Sequence, residues 1–141
     1  MAILEGVFAA GLSVLKEDLS LDIEKTIEHH EHLIKKVMSS SIGKNCISFA
    51  SMTIAETIPI ISSCQFYIGN DTGWGHISSG LGLKSLFLFM DSPPSAYGTY
   101  SKNISIIIPD GESIESCGHN TRGKDKIPIE KVLIKALELI N

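Results

Sequence analysis

The sequence lacks an excess of positive charge, cysteine pairs and long apolar runs, and each shortage argues against a class of protein. Twelve lysines and arginines stand against sixteen aspartates and glutamates, a formal net charge of −4 at pH 7. Such a chain has no general attraction for nucleic-acid phosphates. The three cysteines are widely spaced and form no Cys-x-x-Cys pair, which argues against a disulfide scaffold and a structural zinc site and favours a reducing compartment.

The apolar opening of the chain, residues 1–15, has neither the charge of a signal peptide nor the length of a membrane span. It carries Glu5 where a signal peptide has Lys or Arg. It also falls short of the roughly 20 apolar residues that a transmembrane helix needs. We therefore expect a buried strand or helix, or an atypical N-terminus over residues 1–20. We expect a cytoplasmic protein without a transmembrane segment, at most peripheral to the inner membrane.

With 141 residues, 43% of them hydrophobic, the chain is predicted to form one globular domain, residues 1–141. Its segments alternate between helical and strand patterns from residue 22 onward. Helices are predicted over 22–37, from Thr53, after residue 72 and from Pro128, and strands at KNCISF, CQFYIGN, KSLFLF and NISIII. Short apolar strands alternating with helices indicate an α/β fold, a Rossmann-like parallel sheet with helices on both faces.

The segment Gly69–His76 (GNDTGWGH) joins a predicted strand directly to a predicted helix at the edge where such sheets bind ligands. The first-turn amides of a helix are unpaired, and its dipole favours an anion. We therefore predict a phosphate or diphosphate site formed by Asp71, Thr72, Gly73, Trp74, Gly75 and His76. Asp71 or Thr72 is the expected N-cap, and His76 can add a donor or a positive charge.

Two other interpretations of this segment stay open. A glycine-rich turn with a good N-cap is also a common connector with no ligand. The second interpretation is a nicotinamide-dinucleotide site. Asp91 ends the next strand, at about the distance from the glycine-rich turn at which such sites have an acidic residue that binds the ribose. Ser78, however, occupies the position at which that fingerprint has Gly or Ala.

The stretch Ser48–Ser92 resembles the C-terminal half of glycosyltransferase family 9, the heptosyltransferase-like enzymes. Thr53-Ile54-Ala55-Glu56 is similar to the family's helix start, and Asp71-Thr72-Gly73-x-x-His76 matches its signature in full. The resemblance extends from about residue 30 to the end, and the last helix is similar to the family's last helix. Two residues depart from the family pattern: Trp74 stands where the family often has Pro or a small residue, and Met90 stands where it usually has Gly.

The resemblance implies the C-terminal domain of a GT-B glycosyltransferase, which binds a nucleotide-sugar donor, commonly an ADP-linked heptose, without metal or other cofactor. The amides of Thr72 and Gly73 would hold the donor phosphate, with Asp71 and His76 shaping the pocket. The acceptor, a lipopolysaccharide core or another glycan, and the catalytic base belong to an N-terminal domain that we expect to be missing or separate. No catalytic residue is identified in these 141 residues. The alternative is a non-catalytic nucleotide- or phosphate-binding module.

Two further groups of polar residues have the residue types of a binding site. Asp91 and Ser92 follow the strand KSLFLF and are candidate sugar or ribose contacts, or an ordinary surface loop. His29 and His32 share a helix face without a third ligand, so a solvated face is predicted there and no metal site.

Overall fold

The computed structural model describes residues 7–8, 16–18, 20, 22–41, 43–49, 51–119 and 127–140. Two compact units divide the chain, one formed by residues 11–54 and the other by residues 1–10 and 55–141. Arg122, Lys124 and Lys126, a small group of basic residues in the sequence that could face a diphosphate, lie outside the described residues.

In the unit of residues 11–54, the described residues form one long helix and a single turn of 3₁₀ helix. Helix α1, Ile23–Met38, begins at Asp22, whose side chain accepts a hydrogen bond from the Lys25 amide at 3.1 Å, as an N-cap should. The 3₁₀ turn follows at Gly43–Asn45. The strand predicted at KNCISF is wrong, because residues 46–49 have no regular structure. The apolar Ile47 of this segment is 60% exposed.

The larger unit contains a parallel sheet of four strands in sequence order, all among the described residues. They are β1 (Val7–Phe8), β2 (Phe66–Asn70), β3 (Lys84–Leu88) and β4 (Ile104–Ile107). The predicted parallel α/β fold is confirmed. In the register, Asn70 pairs with Leu88 and Leu88 with Ile107, so the segments after β2, β3 and β4 leave the sheet along one edge.

In the described part of the larger unit, four helices accompany these strands. They are α2 (Ile54–Ser62), α3 (Gly73–Gly80), α4 (Pro94–Tyr97) and α5 (Ile129–Ile140). Helix α2 starts directly after Thr53, as predicted, and continues for three residues beyond Pro59. Helix α4 is a single turn within a segment for which only a loop was predicted.

Side-chain alternation along the strands places α3 and α5 on opposite faces of the sheet. Leu86 and Ile107 pack with Ala136 of α5 in one cluster. The neighbouring Phe87 points the other way, toward Gly75 of α3. Both faces of the sheet are therefore covered, as the continuous apolar strands predict.

Candidate donor-binding site

The candidate site is the connection between β2 and α3, at the carboxyl edge of the sheet. The Asp71 amide donates to the Leu88 carbonyl at 3.3 Å, which extends the β2–β3 pairing by one residue. Thr72 then takes extended backbone angles as the N-cap of α3. The chain thus passes from sheet to helix in two residues, and the helix begins where the strand ends.

The amides at the start of α3 are only partly used by the protein. The amides of Gly75 and His76 donate to the Thr72 carbonyl at 3.0 and 3.3 Å. Thr72 occupies the predicted N-cap position, but its side chain makes no capping bond. Its hydroxyl instead lies 3.3 Å from the Tyr67 hydroxyl. Within the described residues, the amides of Thr72 and Gly73 have no acceptor, so two donors at the positive end of the helix dipole are available to an anion.

The two glycines of the turn have different surroundings. A Cβ added to Gly73 would meet no heavy atom within 4 Å, and the residue is exposed. A Cβ added to Gly75 would lie 2.7 Å from Phe87 Cζ and 2.9 Å from Tyr67 Cε1. Gly73 therefore leaves the anion site open, whereas Gly75 lets the helix approach the sheet. Both glycines were predicted as members of the phosphate site, and the packing role of Gly75 is a finding of the structure.

Asp71 and His76 come together beside the turn. His76 Nε2 lies 3.0 Å from Asp71 Oδ1. The direction of the ring N–H does not make this contact a well-aligned hydrogen bond, and Oδ1 is buried without such a bond. The distance still makes an electrostatic contact, because the Asp71 side chain is only 11% exposed and surrounding protein screens it less than water.

The loop after β3 reaches the same place. Ser92 donates from Oγ to Asp71 Oδ2 at 2.5 Å. That bond places the loop after β3 at the same edge as the turn, and whether Asp91 or Ser92 touches a sugar stays a prediction. Cys117 is buried, with its sulfur 3.6 Å from the Phe89 carbonyl oxygen.

The contact between Tyr100 and His76 was not predicted from the sequence. The Tyr100 hydroxyl lies 2.6 Å from His76 Nδ1, although 24 residues separate the two positions. Burial raises the pKa of Tyr100, and the negative charge of Asp71 raises it further, while a hydrogen bond with Ser79 acts in the opposite direction. Because loops that follow parallel strands lie at the same edge of the sheet, this loop could be placed near the turn. Nothing in the sequence indicates that Tyr100 is the residue of the loop that contacts His76.

Neither metal ligands nor a membrane segment is found in the part of the chain that the structure describes. No three His, Cys, Asp or Glu side chains gather there in a metal-binding arrangement. No helix in these ranges combines the length and hydropathy that crossing a bilayer requires.

Together, the parallel sheet, the short strand-to-helix turn and the unused amides define a Rossmann-like α/β domain with a candidate anion site at its carboxyl edge. Residues 25–127 match the model of glycosyltransferase family 9 (heptosyltransferase). Because the match covers well over half of the 141 residues, the chain belongs to that family, and the resemblance predicted from the sequence is confirmed. The matched range ends before α5, so the similarity of the last helix stays a prediction. Comparisons with curated proteins and with solved structures gave no match.

Proposed function

We propose that this domain binds the diphosphate of a nucleotide-sugar donor at the start of α3 and takes part in glycosyl transfer to a glycan acceptor. The main support is the pair of available amides at Thr72 and Gly73 beside an open Gly73. Membership of the family supports the glycosyl transfer. An ADP-linked heptose is the proposed donor, and a lipopolysaccharide core is the proposed acceptor.

In this proposal the turn acts on the leaving group of the reaction. When the bond from the anomeric carbon to the diphosphate breaks, negative charge grows on the phosphate oxygens. Fixed amide donors and the positive end of a helix dipole stabilise that charge without reorganising. Asp71 would repel a phosphate at close range, so its proposed role is to hold His76 and the loop after β3 in place. The acceptor and a catalytic base are proposed to come from an N-terminal half of the enzyme.

A pair of matched glycine substitutions tests the phosphate site. In Gly73→Val the new side chain stands over the free amides, and the open space around Gly73 lets the fold accept it. Gly80→Val is the control, because Gly80 is also exposed with no heavy atom within 4 Å of an added Cβ. It ends the same helix, roughly 10 Å along the axis.

Calorimetric titration measures the affinity of each protein for ADP, UDP and GDP. The corresponding monophosphates are titrated for comparison. We expect Gly73→Val to weaken the best diphosphate at least about tenfold, a loss of about 1.4 kcal/mol, and Gly80→Val to bind like the unchanged protein. Equal affinities for all three proteins would refute the phosphate site. Circular dichroism spectra of both variants check that the fold is retained.

The non-catalytic alternative is tested by supplying the other half of an enzyme. Co-expression with the N-terminal half of a family 9 glycosyltransferase should give transfer of sugar from the bound donor to a glycan. Transfer should be lost with Gly73→Val and kept with Gly80→Val. Retained diphosphate affinity without transfer in any combination would favour a binding module.

A further inference from the structure

Both ring nitrogens of His76 already have partners within the protein. Nδ1 lies 2.6 Å from the Tyr100 hydroxyl and Nε2 lies 3.0 Å from Asp71 Oδ1. The Phe87 ring packs edge-on against the imidazole, with ring centroids 5.3 Å apart. The imidazole is therefore held from three sides, and Nδ1 is already engaged by a hydrogen bond within the protein.

The chemistry of the partners fixes where the proton of the imidazole lies. An ionised carboxylate only accepts hydrogen bonds, so the nitrogen facing Asp71, Nε2, carries a proton. In the neutral ring, Nδ1 is then the acceptor, and the Tyr100 hydroxyl donates to it. That hydroxyl is protonated at neutral pH, because the ordinary pKa of a tyrosine is about 10 and the structure moves the pKa of Tyr100 upward.

The orientation of the imidazole ring affects Asp71, because the contact between Nε2 and Oδ1 is not a well-aligned hydrogen bond. Asp71 Oδ2 receives the Ser92 hydroxyl, whereas the buried Oδ1 has no well-aligned donor in the described part of the chain. The 3.0 Å distance from Nε2 to Oδ1 is thus the main contact that offsets the cost of burying Oδ1 without a hydrogen bond. A small rotation of the imidazole would lengthen it, and the hydrogen bond from Tyr100 opposes such a rotation.

We propose that Tyr100 is a positioning residue of the donor site: it holds His76 against Asp71 and acts on donor binding only through that histidine. The inference rests on the proposed function, since it assigns a role within the same site. It requires that His76 supports the turn rather than contacting the diphosphate directly. Tyr100 is 58% exposed, so contacts anchor it more than burial does. Its hydroxyl contacts His76 and Ser79, and its ring lies beside the imidazole with centroids 5.7 Å apart.

A double-mutant cycle distinguishes positioning from direct contact. Tyr100→Phe removes only the hydroxyl and should weaken ADP or the best diphosphate about two- to tenfold, the range for one hydrogen bond. His76→Ala should weaken it at least as much. The double variant should bind no more weakly than His76→Ala alone, because Tyr100 then has nothing to hold. Losses that multiply would show that Tyr100 touches the ligand itself and would overturn the inference.

Tyr97→Phe is the matched control. Tyr97 belongs to the same connection between β3 and β4, is 46% exposed, and its hydroxyl has no hydrogen bond in the described structure. This variant should bind the diphosphate like the unchanged protein. An equal loss from both tyrosine variants would indicate a general effect on the loop and count against a specific role for Tyr100.

Nitrogen-15 NMR of the imidazole in the unliganded 141-residue chain gives a second, independent measurement. We expect a protonated Nε2 and an unprotonated, hydrogen-bonded Nδ1, and a shift of the Nδ1 signal in Tyr100→Phe but not in Tyr97→Phe. An unmoved Nδ1 signal would refute the contact. If the Nδ1 signal moves in Tyr100→Phe but the diphosphate affinity of this variant is unchanged, the contact is real and the positioning role is refuted. Failure of the unchanged protein to bind any diphosphate would instead refute the proposed function, and with it the role of Tyr100 in donor binding.

Discussion

The two glycines at the start of α3 should respond in opposite ways to the same added methyl group. In Gly75→Ala, the new Cβ would lie 2.7 and 2.8 Å from two carbons of the Phe87 ring and 2.9 Å from the Tyr67 ring. Favourable carbon contacts lie at about 3.5–4.0 Å. In Gly73→Ala the new Cβ meets nothing within 4 Å.

The rings around Gly75 cannot easily move away. Phe87 and Tyr67 are fully buried and contact each other edge to face, with centroids 5.6 Å apart. The Tyr67 hydroxyl is further tied to the Asn70 carbonyl at 3.0 Å. Overpacking of such a core costs about 1–3 kcal/mol. Replacing Gly by Ala in a helix returns up to about 1 kcal/mol, and that gain applies to both variants.

The difference in unfolding free energy between the two variants should therefore be about 1–3 kcal/mol, with Gly75→Ala the less stable. Urea unfolding followed by far-ultraviolet circular dichroism measures it, as a lower midpoint at an unchanged slope. This signal is preferable to fluorescence, because Trp74 lies between the two sites. Equal midpoints would refute the assignment of Gly75 to close packing between α3 and the sheet.

Three further outcomes are expected. Ser92→Ala should destabilise the fold by about 1–3 kcal/mol, because a mostly buried Asp71 oxygen loses its donor; the exposed Ser95→Ala should change the urea midpoint little. Cys117, 2% exposed, should react with a thiol reagent only on unfolding, and labelling at the rate of a free thiol would contradict its burial. Burial raises the pKa of the Cys64 thiol, so it holds less thiolate at a given pH, and its labelling should keep rising with pH beyond the range of a free cysteine peptide.

The sequence was sufficient for the layout of the sheet because its central strands are short and apolar. CQFYIGN and KSLFLF cannot bury all their side chains unless helices cover both faces, and α3 and α5 do so. The inference from a short apolar segment to a strand was wrong at KNCISF, which forms no strand. Composition shows which segments could be buried, but strand formation also needs a neighbouring strand to pair with.

Polar contacts over long sequence separations could be predicted only to the level of the sheet edge. The order of the strands predicts that the loop after β3 meets the turn after β2, and the bond from Ser92 to Asp71 agrees with this. Which hydroxyl meets which acceptor depends on side-chain rotamers and on the path of the loop. The bond between Tyr100 and His76 therefore had no local signal.

The glycines show why a motif alone does not divide its residues by role. Gly73 and Gly75 are two positions apart in one turn, so α3 rotates them by about 200° relative to each other. One therefore faces away from the sheet when the other faces it. Phe87 and Tyr67 occupy the inward side, and Gly73 is open, which agrees with the ligand site proposed at the free amides. A site that needs both a close helix and an open helix end thus needs glycine at both positions, for opposite reasons.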